Sequence, residues 1–186
     1  MQKYSAAILP ERVLLLGQRL QPLSIGHCLV LERMGNPFFV GGKVEVEHLY
    51  EAVYICCQTM NEAWASFFDD NFAKKILKWH RMTKLVNFQH SCEVFTEYKE
   101  SAMRFPPVTS NGDEPKRELG TPYLLQLKLV LQSKLNYPES EALSKPIGAA
   151  IWEVYGLAEM RGDCRVMNAI EEEIADAHRE LIEKDI

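Results

Sequence analysis

The sequence predicts an all-α protein: a compact multi-helix domain of about seven or eight helices, with a Pro/Gly-rich loop before a C-terminal helical hairpin. Three observations carry this reading. Apolar residues recur at steps of three and four along most of the chain, as one face of a helix requires. Gly, Pro, Asn and Ser stand where such stretches begin or end. Period-two alternation is confined to one brief candidate, Lys43 to Glu47.

The elements follow in order. Ser24 after Pro22-Leu23 reads as an N-cap, with Leu23 placed as a hydrophobic staple. Ile25, Cys28 and Leu29 then define an apolar face, and Gly35-Asn36-Pro37 ends the helix. Phe38-Phe39-Val40-Gly41-Gly42 reads as an apolar loop. The cleanest helical period runs through Val46, Leu49, Val53, Cys56, Cys57 and Met60. A further helix is expected from Asn61 to Phe68, and Asp69-Asp70-Asn71 marks a fresh start. From there Phe72, Ile76 and Trp79 share one face, opposite Lys74, Lys78 and Arg81. After a break near Lys84, Phe88, Cys92, Phe95 and Ala102 make another amphipathic helix.

That helix stops at Phe105-Pro106-Pro107. The stretch Pro106 to Gly120 has little to bury and reads as a linker or mobile loop. It divides an N-terminal helical region, 1–105, from a C-terminal one, 121–186, the two expected to form one integrated domain. Pro122 is expected at the first helical position. Leucines then fall on most sides of the helix that follows, which predicts a central or interface helix. A turn at Asn136-Tyr137-Pro138 leads to a short segment, Glu139 to Leu143. Another helix carries Ile147, Ala150, Ile151, Val154 and Ala158 and ends at Gly162. The last uses Val166, Ile170, Ile174, Ala177 and Leu181, with Glu171 to Glu173 early and Arg179 and Lys184 late, as the helix dipole favours.

Composition narrows the classes of function. An apolar fraction of 47% with 25% charged residues is that of a globular chain and excludes wholesale disorder. A net charge of −5 gives no global attraction to nucleic acid or to anionic membrane. The run Val13 to Leu16 is too short to span a bilayer, so no membrane association is expected. The N-terminus lacks the pattern of a secretory signal. Five cysteines without a C-x-x-C pair predict free thiols in a reducing compartment.

No motif for catalysis emerges, so the chain is expected to be a binding protein with no catalytic residues, no metal and no cofactor. Glu45-Val46-Glu47-His48 puts a carboxylate and an imidazole on one helical face, but a di-iron bundle needs a second such motif and two more glutamates. Cys56 and Cys57 point about 100° apart on a helix and suit packing better than chelation. The basic residues Lys74, Lys78 and Arg81 could contact a polyanion. Because Trp79 lies on the other face, a solvated helix surface is the simpler reading, and nucleic acid is not the expected partner. Phe38, Phe39 and Val40 are the partner-binding candidates: adjacent rings between Pro37 and Gly41 cannot share one face of a regular element. The alternative is a loop folded back on the core.

Two stretches resemble phage tail-region proteins. Pro22-Leu23-Ser24-Ile25-Gly26-His27, the leucine-rich helix after it and Gly35-Asn36-Pro37-Phe38 are similar to the opening of such proteins, which tend to read Pro-Leu-(Ser/Thr)-x-Gly-His and then Gly-Ser-Pro-Phe. Asn136-Tyr137-Pro138 through Glu141-Ala142-Leu143 to Pro146, followed by Ala150-Ile151-Trp152 and Glu159-Met160-Arg161-Gly162, resembles the C-terminal part of tail assembly chaperone-like proteins of tailed bacteriophages. The resemblance covers about a third of the chain. It implies a factor in the host cytoplasm that binds the tape-measure protein during tail morphogenesis, or another tail protein, with self-association as a further mode. The rival expectations are a structural tail or tail-completion component of the virion, and a small helical nucleic-acid-binding regulator.

Overall fold

The computed structural model describes residues 12–83, 85–110, 121–168 and 171–175. The expectations placed on residues 1–11, on Lys84, on 111–120, on 169–170 and on 176–186 lie outside the described residues.

The chain enters through a small hairpin, β1 (Leu14–Leu15) paired antiparallel with β2 (Gln18–Arg19). Leu16 (φ 50°) and Gly17 (φ 74°) form its two-residue turn with both central residues left-handed, the geometry that matches strand twist. Helix α1 (Ile25–Arg33) follows and is the central element of the fold. Ile25, Gly26, His27, Cys28, Val30 and Leu31 are all buried, so it is covered on nearly every side.

Asn36-Pro37 opens α2 (Pro37–Val40), a single turn where the sequence suggested a loop. The correction has a local cause. Asn36 accepts the Phe38 N–H and Pro37 occupies the first turn, both standard helix-start chemistry. Asn36 Nδ2 also donates to the His48 carbonyl at 2.8 Å, tying this corner to α3 (Val46–Cys56). Lys43 to Glu47 is not a strand; its end enters α3. The long apolar period divides at Cys57, and Met60 belongs to the next helix, α4 (Met60–Phe67), capped by Thr59 and Glu62.

Helix α5 (Phe72–Met82) lays Ile76 and Trp79 on α3, with Trp79 edge-on to Tyr50 at 4.9 Å. Helix α6 (Phe88–Ala102) inserts Phe95 and Tyr98 into the core, and the Tyr98 hydroxyl donates to the Gln21 carbonyl at 2.7 Å. The expected loop at 106–120 begins instead as strand β3 (Val108–Ser110), which pairs antiparallel with β4 (Cys164–Val166). The protein is therefore mostly helical with two small two-stranded sheets among the described residues.

Helix α7 (Tyr123–Lys134) starts after Pro122, which stands at the N-cap and not inside the first turn. It is not central. Leu127 and Leu131 are buried, while Leu125 and Leu129 face outward. Helices α8 (Glu139–Ser144) and α9 (Ile147–Arg161) complete the hairpin, and Gly162 (φ 81°) ends α9 in the left-handed conformation. The parts before and after 106–120 are joined directly. The Ile147 N–H donates to the Leu23 carbonyl at 2.8 Å, Ser24 bridges to Pro146, and α1 packs against α7 and α8.

Candidate partner-binding groove

A large concave surface is lined by four helices, α1, α4, α7 and α8. Gly26 and Leu29 of α1 form one side, Met60, Trp64 and Phe67 of α4 another, and Leu143 at the end of α8 a third. Glu32 and Arg33, with Lys128 of α7 and Glu139 of α8, stand at its rim. The volume is about 1290 Å³. Small-molecule pockets span about 300–1,000 Å³, so the groove suits a peptide segment better.

Each wall has a local origin. Gly26 permits the contact between α1 and α4, because a Cβ there would lie 2.0 Å from Met60 Sδ. Thr59 Oγ1 and the Thr59 N–H both donate to Glu62 Oε2, at 2.7 and 2.9 Å, which fixes the start of α4. This bonding holds the Glu62 carboxyl below its ordinary range. Trp64 is 46% and Phe68 65% exposed, and with Phe67 they form a three-ring cluster with centroids 4.9 to 6.1 Å apart. Lys128 pairs with Glu139 across the α7–α8 end of the groove.

A second, smaller cavity of about 560 Å³ lies by α9, lined by Leu135, Tyr137, Trp152, Glu153, Met160 and Val166. Lys145 Nζ lies 2.8 Å from Glu153 Oε1 and donates to the Tyr137 hydroxyl at 2.9 Å. The bonds to Glu153 and Tyr137 raise the Lys145 ammonium above its ordinary range, against the opposing effect of burial.

The structure separates the residues singled out from the sequence. Phe38 is only 8% exposed and packs on Phe95 with ring centroids 4.6 Å apart, so its ring belongs to the core. Phe39 is half-buried beneath the Lys99 ammonium, and Val40 is 51% exposed. None of the three lines the groove. Lys74, Lys78 and Arg81 are exposed on α5, with Lys74 bonded to Asn71. Neighbouring Lys75 is paired with Asp69. His48 serves its own helix: Nδ1 accepts the Glu45 N–H at 3.1 Å. Among the described residues no three His, Cys, Asp or Glu side chains come together as metal ligands. All five cysteines are free. Burial pushes the Cys28 thiol well up and the Cys56 thiol to about 12, and Cys56 also bonds to Tyr98. No helix among the described residues is long and apolar enough to cross a membrane.

The residues of the Pro22 to Phe38 stretch have structural work, though of Leu23, Ser24, Gly26 and Asn36 only Gly26 lines the groove. Leu23 is buried, Ser24 caps α1, Gly26 seats Met60, and Asn36 caps α2. Trp64 and Phe67, the groove's aromatic wall, were missed; the Trp-x-x-Phe-Phe cluster on a short helix was the available signal. No family model, curated protein or solved structure matches this chain.

Proposed function

We propose that this protein is a tail assembly chaperone-like factor that holds an amphipathic helical segment of a tape-measure chain in the groove between α1, α4 and α8. The observation that supports the reading is an open apolar groove with a half-exposed Trp64 beside exposed Phe68, rimmed by charges of both signs. Aromatic side chains of this kind dominate the energetics of helix-in-groove contacts. Burying such surface on a partner helix would shield both chains from aggregation, as an assembly factor must. The resemblance in residues 22–38 and 136–162 supports a tape-measure chain as the partner, and the groove supports helix-in-groove binding.

Co-expression with the tape-measure chain of the same genome tests this. The expected result is a soluble complex from the cell and little of this protein in purified particles. Fixed stoichiometry in particles would instead make it a structural tail component. Binding to duplex DNA that weakens steeply with salt and depends on Lys74, Lys78 and Arg81 would make it a nucleic-acid-binding regulator.

A further inference from the structure

His27 is almost fully buried, yet every polar atom of its ring is engaged. Nε2 lies 3.0 Å from the Gln58 carbonyl, which can only accept, so Nε2 carries the proton. Nδ1 is then the acceptor, facing the Ser24 N–H at 3.3 Å and the Ser24 hydroxyl at 2.9 Å. One neutral ring thus joins the N-cap of α1 to the turn between α3 and α4. Two residues beyond Gln58 stands Met60, the first residue of α4 and part of the groove.

We infer that His27 is a pH-sensitive latch: its neutral ring ties α4 to the start of α1, and gain of a proton at Nδ1 releases α4 and loosens the groove wall. A proton on Nδ1 would set two donors, the ring N–H and the Ser24 N–H, against each other, and the buried charged ring, driven out to water, would withdraw its Nε2–H from the Gln58 carbonyl and so untie α4. The serine hydroxyl can turn to accept; the backbone amide cannot. Among the described residues no carboxylate bonds to the ring. On the elements packed against α1, Glu62 is bonded to Thr59, Glu51 to Asn36, and Glu139 to Lys128, while Cys56 engages Tyr98. Glu32 and Arg33 of α1 itself, Glu47 and His48 of α3 and Glu141 of α8 make no bond to the ring; His48 takes the Glu45 N–H. His48 repeats the arrangement of His27 at the start of α3, but there the site is exposed and water can replace the ring.

The geometry agrees with the titration that burial dictates. Desolvation lowers His27 below its ordinary value of 6.5, only partly offset by the bond to Gln58. Between that lowered value and 6.5 the opened state binds more protons than the closed one, so stability rises with pH in that window. It is fully present above 6.5 and lost as pH falls below it.

Imidazole ¹⁵N spectra and amide exchange on the whole chain, from about pH 7.5 to about pH 5, test the latch. The expected spectrum is a Nε2–H tautomer that persists below pH 6.5. Amides of residues 58–67, corrected for intrinsic exchange, should open increasingly in acid, by up to about tenfold per pH unit. His27→Gln, which keeps an acceptor at the third helical position, should remove this dependence. A Nδ1–H tautomer, a midpoint at or above 6.5, or unchanged acid opening in His27→Gln would overturn the latch. Its effect on partner binding rests on the groove reading. Acid opening of α4 with tape-measure affinity unchanged would keep the latch and refute the groove.

Discussion

Replacing Phe38 by alanine separates packing from partner capture at the α2 corner. The ring is 8% exposed, stacked at a tilt on Phe95, and sits in a turn already fixed by Asn36 and by the Lys99 ammonium on the Phe38 carbonyl at 2.9 Å. Those two anchors remain in the variant, so the site cannot collapse freely around the lost ring. Phenylalanine-to-alanine losses in a core cost about 3–5 kcal/mol, and the slight exposure and short helix favour the lower end, about 3 kcal/mol. For a chain of this length each kcal/mol shifts the melting temperature by about 2–4 °C, giving a drop of roughly 6–12 °C. Phe39→Ala loses a half-buried ring and a cation–π contact at 5.8 Å to its centroid, about 1 kcal/mol. Val40→Ala should change stability by less than about 0.5 kcal/mol. Circular-dichroism melts of the three variants in one buffer check the order. A Phe38→Ala protein melting within about 2 °C of the parent, or below it by less than the Phe39 variant, would refute the core assignment.

Three further outcomes follow from the same contacts. Tyr98→Phe leaves the Gln21 carbonyl and the Cys56 thiol without their shared hydroxyl and should cost about 1–3 kcal/mol in a urea titration. Gly26→Ala should be nearly neutral in stability, because a gain of about 1 kcal/mol in helix propensity offsets the displacement of the Met60 side chain; it should weaken partner binding as Met60 moves into the groove. A thiol reagent at about pH 8 should label Cys57, Cys92 and Cys164 in the folded protein, leaving Cys28 and Cys56 to react only at the rate of unfolding.

The sequence made the helix boundaries legible wherever a cap or a glycine did the work, as at Ser24 and Gly162. It hid the single turn of α2, because four residues are too few for a period to show. The Asn36-Pro37 start signal was present but was read only as the end of the helix before. The hairpin at 14–19 turns on Leu16-Gly17, which lacks the usual Asn-Gly signature. Of the two places expected for α7, central or at an interface, the central one is occupied by α1. The leucines of α7 draw the eye, but in α1 Gly26 and His27 are buried through close approach and hydrogen bonding, which apolar counting does not register. The groove was illegible because its walls come from four helices remote in sequence. Composition cannot reveal that Leu29, Trp64 and Leu143 face one space.

The most direct test is the affinity of amphipathic peptides from the tape-measure chain for the parent, Trp64→Ala and Lys78→Ala proteins, measured by fluorescence anisotropy. A hot-spot aromatic contributes about 2 kcal/mol or more, so Trp64→Ala should weaken binding by about 30-fold or more. Its melting temperature should stay near that of the parent, because the ring is half-exposed. Lys78→Ala, altered on the far helix α5, should bind as the parent does. Unchanged affinity in Trp64→Ala, at parental stability, would contradict the groove as the place where the partner binds.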